Sequence, residues 1–257
     1  MKYYQELMKL GCFSYADACK LIEDETTARL TIRNYLAHGL LQRICSNLYV
    51  AVNSETGLPV VDNRFVIASH ISEDSYVTHH TAFEYYGCYN QVYNWVYVSG
   101  NHYHKPIEYD FTEYHYHIPH IQKGVVRKPD GVKVTDMERT VLDGISDFTK
   151  IGGLEELLKC IDLLPPLNEE KILEYLKLYH NPFLYQKTGY ILEYFKEQLE
   201  LSSNFFLTCQ KNIDSTKRYL EKSRWQYPFV LHKKWLLYAP QNLERMILKG
   251  VDIDYDF

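Results

Sequence analysis

The chain has 257 residues, 46% apolar and 24% charged, with a formal net charge of −5. That composition fits an ordinary globular protein of one large or two modest domains, and its acidic balance argues against a non-specific nucleic-acid coat. No run approaches the roughly 20 apolar residues of a membrane span, and MKYYQELMKL lacks the apolar core of a secretory signal, so a cytoplasmic protein is expected.

The first helix signal is Ser14, an N-cap with Asp17 three residues on as an acidic capping box. Ala18, Leu21 and Ile22 form its apolar side. Glu23, Asp24 and Glu25 break the pattern, and Thr26 is read as the next N-cap. Ala28, Ile32, Tyr35 and Leu36 then recur at the spacing of an amphipathic helix, and Gly39 follows where a left-handed cap is expected. The opposite face carries Thr27, Arg29, Thr31, Arg33, Asn34 and His38. Two β-rich runs, Leu41 to Ile44 and Leu48 to Val52, flank Cys45, Ser46 and Asn47 and predict a tight hairpin.

Together these signals predict a winged helix-turn-helix over residues 1–53, which lays one helix into the DNA major groove. Arg29, Thr31, Arg33 and Asn34 are the expected base-reading residues, since arginine suits guanine and asparagine suits adenine. Thr27, Arg43 and Asn47 are the expected backbone contacts. Residues 1–50 hold six lysines or arginines and five acids. From Thr26 to Val52, however, there are three arginines and no acid.

Residues 54–63, within the polar stretch NSETGLPVVDN, read as a linker, and 64–257 as a second domain. Helices are expected from Arg64 to Ile71 and from His79 or His80 to Tyr86. Val92 to Val98 alternates as a strand. Tyr109 to Phe111, Tyr114 to Ile118, Gly124 to Arg127 and Val132 to Val134 supply shorter strands, completing a small sheet over about 76–134. Residues 135–212 read as helical. Thr135 or Asp136 caps a helix through Asp147, and a second runs from Leu154 to Leu164. Asn168 caps a third through Tyr179, Pro182 opens a fourth to about Gln198, and Ser202 or Ser203 opens a fifth to about Asn212. The aromatic tail, 213–257, returns from Trp225 as strand or extended chain. The expected class is α+β, with a mixed domain whose C-terminal half is helical.

Chemistry is weakly signalled. The six cysteines (Cys12, Cys19, Cys45, Cys88, Cys160, Cys209) show no C-x-x-C and read as reduced thiols. His102, His104, His115, His117 and His120 are dense, with His79 and His80 preceding them and His115 and His117 on one strand face, but no cysteine or acid lies at a recognised metal spacing; solvent-facing histidines are the simpler reading, and no metal is expected. Thr135, Asp136, Glu138, Arg139 and Asp143 are explained by a helix cap and an i,i+4 salt bridge. Asp252 and Asp254 lack a Gly-Ser turn ahead of them, and there is neither a P-loop nor a G-x-S-x-G elbow. Lys211, Lys217, Arg218, Lys222 and Arg224 read as a solvated helix face. No catalytic residue and no cofactor are expected.

Read in order, the N-terminal segment ending in SNLYVAV, then SYVTHHTAFEYYG, NWVYVSG, GVKVTDMERTVLDGI with GGLEELLKCI, and NPFLYQKTGYILEYF resemble the AbiEi-type antitoxins of type IV toxin–antitoxin (abortive-infection) systems. The resemblance implies an autorepressor whose N-terminal domain binds inverted repeats in double-stranded DNA at its own promoter. It also implies a second domain that opposes a co-encoded nucleotidyltransferase toxin without a stable complex. Cys45, Ser46 and Asn47 depart from the family, whose wing tips often carry more basic residues and a glycine. The alternatives are a metal-dependent nuclease, or a helix-turn-helix scaffold that binds proteins and not DNA.

Overall fold

The computed structural model describes residues 2–221, 228–243 and 246. They form a mixed α+β protein that divides into two compact units. The first comprises residues 1–77, 93–119 and 125–134; the second comprises 78–92, 120–124 and 135–257.

The first unit opens with α1 (Tyr4–Leu10), β1 (Cys12–Ser14), α2 (Tyr15–Ile22), α3 (Glu25–Ala37), β2 (Leu41–Cys45) and β3 (Leu48–Ala51). The strands form an antiparallel sheet in the order β1-β3-β2, with Cys12 opposite Val50 and Leu41 opposite Ala51. Leu7, Phe13, Ala18, Ile32, Leu41, Tyr49 and Ala51 make its core. Each helix and strand contributes one apolar side to it, which these short elements need because they are too short to be stable alone. Residues 54–63 hold a tight turn: the Gly57 N–H donates to the Asn53 carbonyl at 2.8 Å, and Pro59 bridges to Val52. The Tyr4 hydroxyl donates to the Val52 carbonyl at 2.5 Å and accepts from the Ser54 N–H.

The same unit continues through α4 (Arg64–His70), β4 (Tyr76–Val77), β5 (Trp95–Ser99), β6 (Ile107–Tyr109), β7 (Thr112–His117), β8 (Val125–Arg127) and β9 (Lys133–Thr135). The six strands form one mixed sheet in the order β6-β7-β5-β4-β9-β8. Val96 and Val98 are buried, while Trp95 is exposed and stacks on Tyr93 at 4.4 Å, the alternation the sequence predicts. The strand begins at Trp95, though, not at Val92. The run expected as Tyr109 to Phe111 is instead the end of β6 and a hairpin turn, with Asp110 and Phe111 both at positive φ (49° and 57°); the return to β7 needs that left-handed pair.

The second unit carries α5 (His79–Tyr85), α6 (Met137–Ser146), α7 (Leu154–Asp162), α8 (Glu169–Tyr179), α9 (Pro182–Glu193) and α10 (Ser203–Lys211), then β10 (Arg218–Tyr219), β11 (Phe229–His232) and β12 (Leu237–Pro240). The expected caps are in place: Asp136, Asn168 and Ser202 each accept a backbone N–H three residues on. Pro182 occupies the first turn of α9, where its missing donor costs nothing. α9 stops at Glu193 rather than near Gln198. There Tyr194 and Phe195 donate to carbonyls three residues back, the tightening that ends an α-helix. Gly189 lies mid-helix because the Trp235 ring occupies the space a Cβ would need. The aromatic tail does return as strand, in the order β10-β12-β11. Trp225 and Asp252–Asp254 lie outside the described residues, as do Lys222 and Arg224 of the basic cluster.

Candidate nucleic-acid interface

The candidate surface is built on two consecutive helices and a hairpin. α2 starts at Ser14, whose hydroxyl accepts the Asp17 N–H at 3.2 Å, while the Asp17 carboxylate accepts the Ser14 N–H at 3.0 Å. This is the capping box the sequence predicts. Burial pushes the Asp17 carboxyl up, and its hydrogen bonds to Ser14 more than offset this and hold it below the ordinary carboxylate range. α2 ends at Glu23, left-handed at φ 62°.

The cap of α3 is Asp24, not Thr26. Its carboxylate accepts the Thr27 N–H at 2.6 Å, and the Thr27 side chain and backbone hold the Asp24 carboxyl below its usual range. An aspartate outcompetes the threonine two positions on because its full charge interacts with the helix dipole as well as with the N–H. The positive end of α3 is therefore already neutralised by the protein, and Thr27 is engaged there. At the far end Gly39 adopts φ 69° and the Leu40 N–H donates to the Tyr35 carbonyl at 2.8 Å, closing the helix as predicted.

Ala28 and Ile32 are buried. At roughly 100° per residue, the outward face centres on Leu30, with Thr26, Arg33, Asn34 and Ala37 around it. Leu30 is 44% exposed, and Arg33 and Asn34 are exposed beside it. Arg29 and Thr31 fall on opposite flanks of that face. Thr31 is half-buried. Arg29 donates to the Glu25 carboxylate at 3.4 Å, and its guanidinium is raised first by a hydrogen bond with the Tyr15 hydroxyl. Of the four expected base-reading residues, Arg33 and Asn34 thus share the centre of the face. Leu30 was missed because a leucine off the apolar stripe carries no polar signal; its position in the 3.6-residue period was the available clue.

The hairpin β2–β3 turns at Ser46 and Asn47, with a register shift between Arg43 and Cys45. Arg43 is exposed and lies over the Tyr49 ring, 5.5 Å from its centre. The Asn47 side-chain oxygen accepts the Tyr15 N–H at 3.2 Å. It therefore fastens the hairpin tip to the first turn of α2, a role the sequence reading did not assign.

The other clusters the sequence singled out make the following contacts. Arg139 reaches both Asp143 oxygens from its Nε at 2.9 Å, with both residues buried. The Tyr179 hydroxyl also donates to Asp143, and that of Tyr175 to Asp136 at 2.7 Å. The Glu138 carboxylate accepts the Asn168 N–H at 3.0 Å. The cap and salt bridge are present as read, inside a buried network. Among the histidines, His115 pairs with Glu113 at 3.0 Å, and His104 packs edge-on to Tyr116.

Among the described residues no helix is long and apolar enough to cross a membrane. No family model and no curated protein matches the chain.

Proposed function

We infer that the chain is a DNA-binding transcriptional autorepressor and antitoxin, without catalytic activity of its own, whose N-terminal elements act as a winged helix-turn-helix. The observation that carries the DNA half is the outward face of α3: Arg33 and Asn34 stand exposed around Leu30, and no acid follows from Thr26 to Val52. Guanidinium and amide groups on one helix face can read base edges in the major groove, while Leu30 offers an apolar contact for a thymine methyl. Arg43, exposed on the hairpin beside the Tyr49 ring, is the basic contact for phosphate. Thr27 and Asn47 also tie the helices and hairpin together through the Thr27 N–H and the Asn47 side-chain oxygen, and the expected phosphate contacts are few. Modest overall affinity follows, with specificity drawn from α3.

The antitoxin half rests on the resemblance of the ordered segments through residues 64–257. It assigns opposition to a nucleotidyltransferase toxin encoded beside the gene, without a stable complex. The buried engagement of Asp136, Glu138, Arg139 and Asp143 supports a non-enzymatic second unit over the nuclease reading. The test is a gel shift on the chain's own upstream DNA, followed by co-expression with the neighbouring gene. A shift specific for that DNA, with rescue of growth, is the expected result; a folded protein that shifts nothing returns the N-terminal elements to the scaffold reading.

A further inference from the structure

His80, Glu156 and Cys160 meet inside the second unit, apart from the histidines of 102–120. His80 lies in the first turn of α5. Glu156 and Cys160 are one turn apart on α7, so their side chains share a face. Their exposures are 1%, 4% and 0%. His80 Nε2 is 3.5 Å from Glu156 Oε1, and Cys160 Sγ is 3.7 Å from the same oxygen. The three ligand atoms all lie within 4.8 Å of one another.

The His80–Glu156 separation of 3.5 Å matches the spacing of two ligands on one metal ion, and the Cys160–Glu156 separation of 3.7 Å, also within reach of an S–H···O bond, lies just beyond it. A tetrahedral zinc ion, with bonds of about 2.0 Å to nitrogen and oxygen and about 2.3 Å to sulfur, holds its ligand atoms roughly 3.3–3.6 Å apart. A charge-assisted N–H···O contact closes to about 2.8 Å. We propose that His80, Glu156 and Cys160 bind one zinc ion that ties α5 to α7.

The charges balance: zinc with one thiolate, one carboxylate and a neutral imidazole sums to zero, which limits the cost of burial. The carboxylate is already oriented. Its Oε2 accepts the Asn90 amide at 3.1 Å, as an outer partner of a metal-bound carboxylate does, while Oε1, the oxygen facing His80 and Cys160, accepts the Asn90 and Gln91 N–H groups at 3.0 and 2.9 Å. Burial raises the Glu156 carboxyl, but His80 and these donors more than offset it and hold it down to about 2. Burial and the neighbouring Glu156 keep the Cys160 thiol protonated without metal. Binding therefore exchanges the S–H bond for an S–Zn bond and releases the thiol proton to solvent.

The experiment titrates the full-length, chelator-stripped protein with zinc alone and with cobalt alone. One ion per chain, a thiolate-to-cobalt charge-transfer absorption, and a rise in Tm on adding zinc are expected. Cys160→Ser and His80→Gln should each weaken zinc binding by more than about 100-fold, beyond the loss typical of an outer partner. His115→Ala, at a half-exposed histidine, should leave it unchanged. A folded wild-type protein without the cobalt band overturns the proposal, as does a folded Cys160→Ser that binds zinc like wild type. Should Cys160→Ser fail to fold, the wild-type cobalt spectrum and His80→Gln decide.

Discussion

The side chain of Asn47 at the hairpin tip accepts a hydrogen bond from the backbone N–H of Tyr15, at 3.2 Å, in the first turn of α2. A residue that reads from sequence as a phosphate contact also serves as a brace, holding the hairpin against the helix that precedes α3. Asn47→Ala should lower stability by about 0.5–1.5 kcal/mol, the net worth of one such bond, near the low end because the site is exposed. Urea denaturation with an unchanged m-value checks it; wild-type stability in the variant would remove the brace from the account.

Arg33 and Arg29 should separate in a binding assay. Arg33→Ala is expected to weaken operator binding by about 1–3 kcal/mol and to relax specificity at one position. Arg29, on the flank and paired with Glu25 and Tyr15, should matter less. Anisotropy titrations on matched and substituted operators measure both, and an Arg29→Ala loss exceeding that of Arg33→Ala would reverse the assignment of the face.

Leu30 gives a chemically cleaner test. If its exposed side chain meets a thymine methyl, replacing operator thymines by deoxyuridine one at a time should weaken wild-type binding at one position per half-site. Leu30→Ala should bind both DNAs alike. Equal thymine-to-uracil losses in wild type and Leu30→Ala would place that contact elsewhere.

Lys187 predicts a pH dependence. It is buried in α9, with Nζ donating to the Ile145 and Ser146 carbonyls at 3.2 and 3.1 Å, and near the Phe148 and Phe183 rings. Burial lowers its ammonium from 10.5 to about 8. Between those values the unfolded chain binds more protons than the folded one, so this group's contribution to stability rises with pH across about 8 to 10.5. Its cost is fully present below about 8. Lys187→Met should flatten that slope in urea midpoints compared with wild type over the same range; identical slopes would contradict the depressed ammonium.

Much of the secondary structure was legible because caps and periodicity are local. Ser14 with Asp17, Gly39, Asp136, Asn168 and Ser202 each mark a helix end through a backbone contact within four residues, and Pro182 marks one by lacking a donor. Thr26 misled because the preceding acids looked like a turn, although a carboxylate makes the stronger cap. The end of α9 was hidden because nothing in its sequence punctuates the change to tighter turns. The brace by Asn47 was not legible, since it joins residues that meet only after the hairpin folds back. For the same reason His80 gave no hint of Glu156 and Cys160, while the dense histidines of 102–120 drew attention and dispersed into separate contacts.

The most direct test of the central claim is a gel shift of the purified full-length protein on its own upstream DNA, with scrambled DNA as control, at two salt concentrations. The account predicts a retarded band specific to the upstream DNA that weakens as salt rises and is lost first in Arg33→Ala. A folded protein that shifts neither DNA at either salt concentration would contradict it.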